Sequence, residues 1–292
     1  MLGGIRGEVR FKEPLVFHTS LRIGGPADIF VRPQDVDDIR EAQSYADREG
    51  LPLEVIGGGN NLLVRDRGVR GVVVKLDGCL GRVEFRGEEV IAGAGASLSA
   101  LIREAAALSL GGIECAAGIP ATIGGALAMN AGTPEGALGD FASAVQFLRP
   151  DGTLDEFKPG LGPFAYCAFQ CPPGAILIGA RLQLQHRPRI QIQRDIKQRL
   201  KQNKVAQPRA VASAGCVWGS SPTDDPERLI EQAGLKGKRA HAAEISPRHP
   251  NFIVNHGGAT AADVLALMDM VQERVSARFG TTLVPKLRII GE

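Results

Sequence analysis

An excess of charge of one sign is missing. Against 34 Lys and Arg the 292 residues set 32 Asp and Glu, a formal net charge of +2. The chain therefore lacks the electrostatic footprint of a DNA or RNA binder, and no basic block marks a membrane surface. Long apolar runs are missing too. None approaches a membrane span, and the opening MLGGIRGEVRFKEP is charged throughout, without a signal-peptide core. Cys79, Cys115, Cys167, Cys171 and Cys216 form no CxxC pair and are odd in number. That argues against a disulfide framework and for a reducing, cytoplasmic setting. The five histidines fit no HExxH or zinc-ribbon spacing, so no metal site is expected and surface or hydrogen-bonded histidine is. Repeats, low-complexity tracts and Gly/Ser linkers are absent as well, so domain edges must come from pattern.

What is present is ordinary globular composition, 44% apolar and 23% charged, in a chain long enough for two or three units. Residues 15–80 mix short strands (52–56, 62–64, 72–76) with a helix at 35–48 whose Val36, Ile39 and Ala46 share one face. Residues 81–188 repeat the strand-rich texture. A hairpin is predicted at 82–85 and 89–92, a helix capped by Ser97, and strands at 144–148 and 175–184. A polar helix follows over 187–207. The last part, 205–290, carries helices near 225–233 and from Ala261 onward. Thr260 and Asp263 form a capping-box start to the second, and Gly280 its stop. The pattern is α+β, with a separate C-terminal domain.

Glycine carries the chemical signal: 37 copies, gathered in clusters where backbone turns sharply or meets a ligand. In LEVIGGGNNLLV a strand runs into Gly57, Gly58, Gly59, Asn60 and Asn61, and apolar chain resumes at Leu62. Consecutive backbone N–H groups there suit an anion nest, and the two asparagines add amide donors. The following strand, rather than a helix, disfavours a Rossmann or Walker loop. A hairpin turn is the plainer alternative, but three glycines and two asparagines exceed what it needs. A second cluster, AGIPATIGGALAMNAG, holds Gly118, Ile119, Pro120, Gly124, Gly125, Asn130, Ala131 and Gly132. Its texture predicts extended backbone lying along a flat ligand. Arg22 is singled out for the same ligand, and Asn130, Asn251 and Asn255 are candidates either for ligand hydrogen bonds or for loop anchoring.

Taken in order, TSLRIGGPA at 19–27, Gly57–Val64, Gly118–Gly132, Gln207-Pro208, SAGC at 213–216, LIEQAGLKG at 229–237 and HPNFIVN at 249–255 resemble the UDP-N-acetylenolpyruvoylglucosamine reductases, also called UDP-N-acetylmuramate dehydrogenases. The resemblance spans nearly the whole chain. It implies an FAD-binding domain of the PCMH or vanillyl-alcohol-oxidase type over 15–188, in subdomains of about 15–80 and 81–188. A C-terminal α+β domain at 205–290 would take the UDP-sugar, with Asn251 and Asn255 as its contacts. The first glycine loop, the 118–132 segment and Arg22 would hold FAD. NADPH would be the co-substrate and peptidoglycan precursor synthesis the setting. No nucleic-acid or membrane partner is implied.

Four positions depart from the family pattern. Tyr166 is kept, but the arginine expected after it is Cys167, and a thiol cannot replace a bidentate cation. The proton-donating serine is Cys216, and a thiol, with an unperturbed pKa of about 8.5 in model peptides, is a competent donor. The Phe-Lys-Asn-Pro loop reads Trp218-Gly219-Ser220-Ser221-Pro222. The catalytic glutamate becomes Lys286, which offers the positive charge that Cys167 lacks. Three readings follow: a working reductase with altered parts, an impaired FAD- or UDP-sugar-binding paralogue, or a flavin oxidoreductase for a different substrate.

Overall fold

The computed structural model describes residues 2–78, 80–133, 135–158, 164–165, 168–169, 172–208, 210–219 and 225–292. In chain order its main strands are β1 (Glu8–Pro14), β2 (Pro26–Arg32), β3 (Leu53–Ile56), β4 (Leu62–Val64), β5 (Val69–Lys75), β6 (Val83–Arg86), β7 (Glu89–Gly93), β8 (Ala142–Leu148), β9 (Leu154–Phe157) and β10 (Ile176–Gln183). Then come β11 (Ala212–Cys216), β12 (Ala243–Ile245), β13 (Phe252–Asn255) and β14 (Arg288–Ile290). The helices are α1 (Val36–Arg48), α2 (Leu98–Ala107), α3 (Ile123–Ala128), α4 (Arg189–Ala206), α5 (Pro226–Gln232) and α6 (Ala261–Phe279). The chain divides into two compact units. The first is Met1–Arg10, Ile29–Gly58 and Gly71–Asn203; the second is Phe11–Asp28, Gly59–Arg70 and Lys204–Glu292.

In the first unit α1 forms because Asp35 accepts the N–H groups of Asp37 and Asp38, while Ile39, Ala42 and Ala46 line one buried stripe. That stripe packs with Val31, Val72, Val74, Leu148 and Ile176. β3 lies parallel to β5, Leu53 opposite Val72 through Ile56 opposite Lys75. The strand expected to begin at Val72 begins at Val69. A five-stranded antiparallel sheet runs β9-β8-β10-β7-β6. On it a second core gathers Val90, Leu98, Leu101, Ile123, Leu127 and Leu182, and Ser97 caps α2 through the N–H of Ala100.

In the second unit β11-β13-β12 are successive antiparallel strands, and β14 runs parallel to β4. α6 starts at the expected capping box and ends where Gly280 turns left-handed, φ +70°. Asp66 adds a second clamp at its start, accepting from Ala261 N at 2.7 Å and Ala262 N at 3.0 Å. Val264, Leu267, Val271 and Val275 close the core with Leu21, Leu63 and Trp218. No helix among the described residues is long and apolar enough to cross a membrane.

Candidate active site

The first glycine loop joins β3 to β4, and close approach of neighbouring chain explains its composition. A Cβ on Gly57 would stand 2.4 Å from Thr122 Oγ1. Gly59 has φ +65°, and a Cβ there would lie 2.0 Å from the carbonyl oxygen of His18. Ser20 holds the loop from outside, its N–H and Oγ both reaching Gly59 O, at 3.0 and 3.3 Å. Among the described residues no acceptor takes the N–H of Gly57, Gly58, Gly59, Asn60 or Asn61. Five successive donors unmet among the described residues leave a run of partial positive charge of the kind that suits an anion.

The second glycine stretch differs from the expected extended chain. Its centre is the short helix α3, capped by Thr122 Oγ1, which accepts from Gly125 N at 3.2 Å. Small side chains cause this. Gly124 packs so closely that a Cβ would meet that of Ala94 at 2.8 Å, and the N–H groups of Ile123 and Gly124 bond to Ala96 O and Ala94 O, each at 2.8 Å. The N–H groups of Gly118, Ala121 and Thr122 find no acceptor among the described residues. Gly118 turns left-handed, φ +84°, against Asn203, which donates to Ala117 O at 3.1 Å. Ile119 packs on the core and Pro120 is exposed. Ala131 is buried, and Gly132 lies where a Cβ would strike Gly136 O at 2.3 Å. Asn130 is an anchor: buried, with φ +40°, it accepts from Gly139 N at 3.0 Å.

Arg22 is exposed and sits at φ +55°. A left-handed arginine costs about 1 kcal/mol or more, so its turn must be held by others. Thr19 Oγ1 donates to Ile23 O at 2.9 Å and accepts from Ile23 N at 3.2 Å. Asn255 Nδ2 reaches Leu21 O and Arg22 O, at 3.0 and 3.4 Å, while Asn255 Oδ1 accepts from Gly257 N and Ala259 N. All four hydrogen-bonding capacities of Asn255 are thereby used. Asn251 is similarly committed: Oδ1 accepts from Val217 N and Trp218 N, and Nδ2 donates to Trp218 O at 2.9 Å. Of the two roles open to Asn251 and Asn255 in the sequence, ligand contact or loop anchor, these bonds are those of an anchor.

Cys216 ends β11, its side chain partly exposed. Next to it, Val217 O accepts from Lys286 N at 2.7 Å and Leu287 N at 3.1 Å, and Trp218 bridges Pro285. The two substituted positions thus share one backbone junction. Lys286 is half-buried, with no carboxylate partner among the described residues. Across the sheet Cys216 faces Phe252. On that ring packs His249, centroids 4.6 Å apart, and burial holds its imidazole below the usual range against the opposing pull of Glu227 and Asp225. This half-buried histidine departs from the surface or hydrogen-bonded placement expected. Its Nδ1 has no partner among the described residues. Asn61, expected to offer its amide to a ligand, instead donates to Ala214 O and Cys216 O, at 2.8 and 3.1 Å. Tyr166, Cys167 and the 220–222 loop lie outside the described residues.

Sequence reasoning missed Thr122 and Ser20. The signal for Thr122 was a threonine directly before the apolar IGGALA run, a helix-start pattern. Ser20 left no signal, because its acceptors are Gly59 O and Ser213 O, far away in sequence.

Comparison with known proteins gives a consistent result. Residues 27–158 match the FAD binding domain family, and residues 207–290 match the C-terminal domain of UDP-N-acetylenolpyruvoylglucosamine reductase. UDP-N-acetylenolpyruvoylglucosamine reductase 2 of Symbiobacterium thermophilum is 41% identical, over 98% of this chain and 93% of its own. The reductase of Geobacter metallireducens is 40% identical over 99% and 96%. The crystal structure of the Thermus caldophilus reductase superposes with a TM-score of 0.83 at 35% identity, covering 98% of this chain and all of that one. Glycine loops, capped α3 and the strand bearing Cys216 thus stand in a chain that belongs to the UDP-N-acetylenolpyruvoylglucosamine reductase family.

Proposed function

We propose that this protein is an FAD-dependent reductase that converts UDP-N-acetylenolpyruvoylglucosamine to UDP-N-acetylmuramate with NADPH, for peptidoglycan precursor synthesis. The observation that carries the proposal is the run of five N–H groups at 57–61 that meet no acceptor among the described residues, in a chain aligned over 98–99% of its length with reductases of that name. The residues fit the cofactor. Backbone donors along 57–61 are the candidates to hold its diphosphate; Gly118, Ala121 and Thr122 each offer a further N–H group, and the exposed Arg22 carries a permanent positive charge. Residues 15–188 would carry the flavin and 205–290 the nucleotide sugar.

FAD, when bound, supplies the hydride route from NADPH to C3 of the enolpyruvyl group. The chain supplies placement, charge and a proton. Hydride addition at C3 leaves an electron pair at C2, delocalised onto the carboxylate. Cys216 is the acid in this reading: the S–H bond breaks, its proton goes to C2, and solvent restores the thiol. Lys286, whose backbone N–H bonds to Val217 O, supplies the cation that stabilises the enolate-like charge. In the family pattern the cation came from an arginine; here the inverted charge at 286 replaces it.

The test is steady-state NADPH oxidation by flavin-loaded protein. Oxidation should require the enolpyruvyl sugar and yield one UDP-N-acetylmuramate per NADPH. Oxidation that ignores the sugar would leave a flavoprotein with another acceptor.

A further inference from the structure

Although Asn61 belongs to the glycine loop, its side chain points to β11. That strand is irregular: Ser213 faces Val254 and Cys216 faces Phe252, so three steps on β11 oppose two on β13. The extra residue is a bulge, formed where Gly215 turns left-handed at φ +71°. Bulges re-aim the side chain that follows and take carbonyls out of the ladder. Those carbonyls need donors. The Asn61 Nδ2 group supplies two from one atom, to Ala214 O on one side of Gly215 and Cys216 O on the other. Flipping the amide would set Oδ1 against both carbonyls, so the partners fix its orientation. A second strut runs parallel, as Ser20 Oγ donates to Ser213 O at 2.7 Å while Ser20 N holds Gly59 O.

We infer that Asn61 is a positioning residue for Cys216: its carboxamide sets the bulge that aims the thiol and ties residue 61 to the strand of the proton donor. This rests on the reading of Cys216 as the acid. Only an amide meets the requirement at this reach. Aspartate has no donor when ionised, and serine has one.

The experiment uses full-length, flavin-loaded protein with Asn61→Asp, Asn61→Ala and Asn61→Ser, and Cys216→Ala as reference. Alkylation by iodoacetamide is followed at each cysteine by peptide mass spectrometry, with the half-buried Cys115 as internal standard. The Cys216 rate should change at least fivefold in the Asp and Ala variants, and less in the Ser variant, while Cys115 is unaffected. In rapid mixing, reoxidation by the enolpyruvyl sugar should slow tenfold or more, and reduction by NADPH less than threefold. A Cys216 rate within twofold of wild type in all three variants, with reoxidation intact, overturns the inference. If Cys216→Ala itself reoxidises at the wild-type rate, it is the acid assignment that fails, while the alkylation result still decides whether Asn61 aims the thiol.

Discussion

Gly57 and Thr122 stand face to face: a methyl group on Gly57 would lie 2.4 Å from the Thr122 hydroxyl oxygen that caps α3. They come from the two glycine-rich stretches singled out in the sequence, 65 positions apart in numbering. Their proximity joins a loop whose donors meet no acceptor among the described residues to the start of a helix. A glycine at 57 is thus required by its neighbour and not by its own φ, so the site can be probed by relieving that neighbour.

Gly57→Ala is expected to weaken FAD binding at least tenfold, because the new Cβ must displace Thr122 Oγ1. Gly57→Ala with Thr122→Ala should recover much of that loss, since the next contacts, at 3.5 Å, are ordinary. Lost capping costs about 1 kcal/mol in the double variant. Flavin fluorescence titration measures all three proteins; equal losses in single and double variants would refute the clash.

Cys216→Ala should lower turnover by about a hundredfold or more, the usual contribution of a placed acid, while NADPH still reduces the flavin. Cys216→Ser should retain activity, its hydroxyl standing where the family keeps one. Stopped-flow separation of the half-reactions distinguishes this from a binding defect.

Lys286→Gln removes the charge without much change of volume. Turnover should fall by about a hundredfold, with FAD affinity unchanged within a factor of three. Lys286→Glu restores the residue of the family pattern. Without the arginine that accompanies it there, it should be no better than Gln, as kcat measurements would show.

Asp38, wholly buried, tests the fold of the first unit. Burial opposes its charge, but the N–H groups of Arg6, Gln34 and Gly7 outweigh burial and hold the carboxyl below its ordinary range. A depressed folded pKa stabilises above the unfolded value of about 3.9 and is lost as pH falls through the folded one. Asp38→Ala should therefore cost about 3 kcal/mol at neutral pH, and the gap to wild type should close below pH ~4. Urea titrations across pH measure it; a gap independent of pH would contradict the assignment.

Much of this was legible in the sequence for local reasons. α1 and α6 carry their own caps in Asp35, Thr260 and Asp263, and their apolar spacing leaves one solution. Gly57–Asn61 announced itself by chemistry no turn requires. Three features were not legible because their causes are distant. The helix at 123–128 depends on Thr122 and on carbonyls at 94 and 96, so its glycines read as loop. Asn251 and Asn255 read equally as ligand contacts or loop anchors, and only their backbone partners, as far away as Leu21, show the anchoring. Asn61 read as a donor to an anion, and only the bulge at Gly215 shows where its amide goes.

The most direct measurement is backbone amide hydrogen exchange with and without FAD. Gly57, Gly58, Gly59, Asn60 and Asn61, which meet no acceptor among the described residues, should exchange rapidly in the apoprotein and slow by tenfold or more when FAD is bound. FAD that binds tightly while these five amides exchange as fast as before would contradict the account.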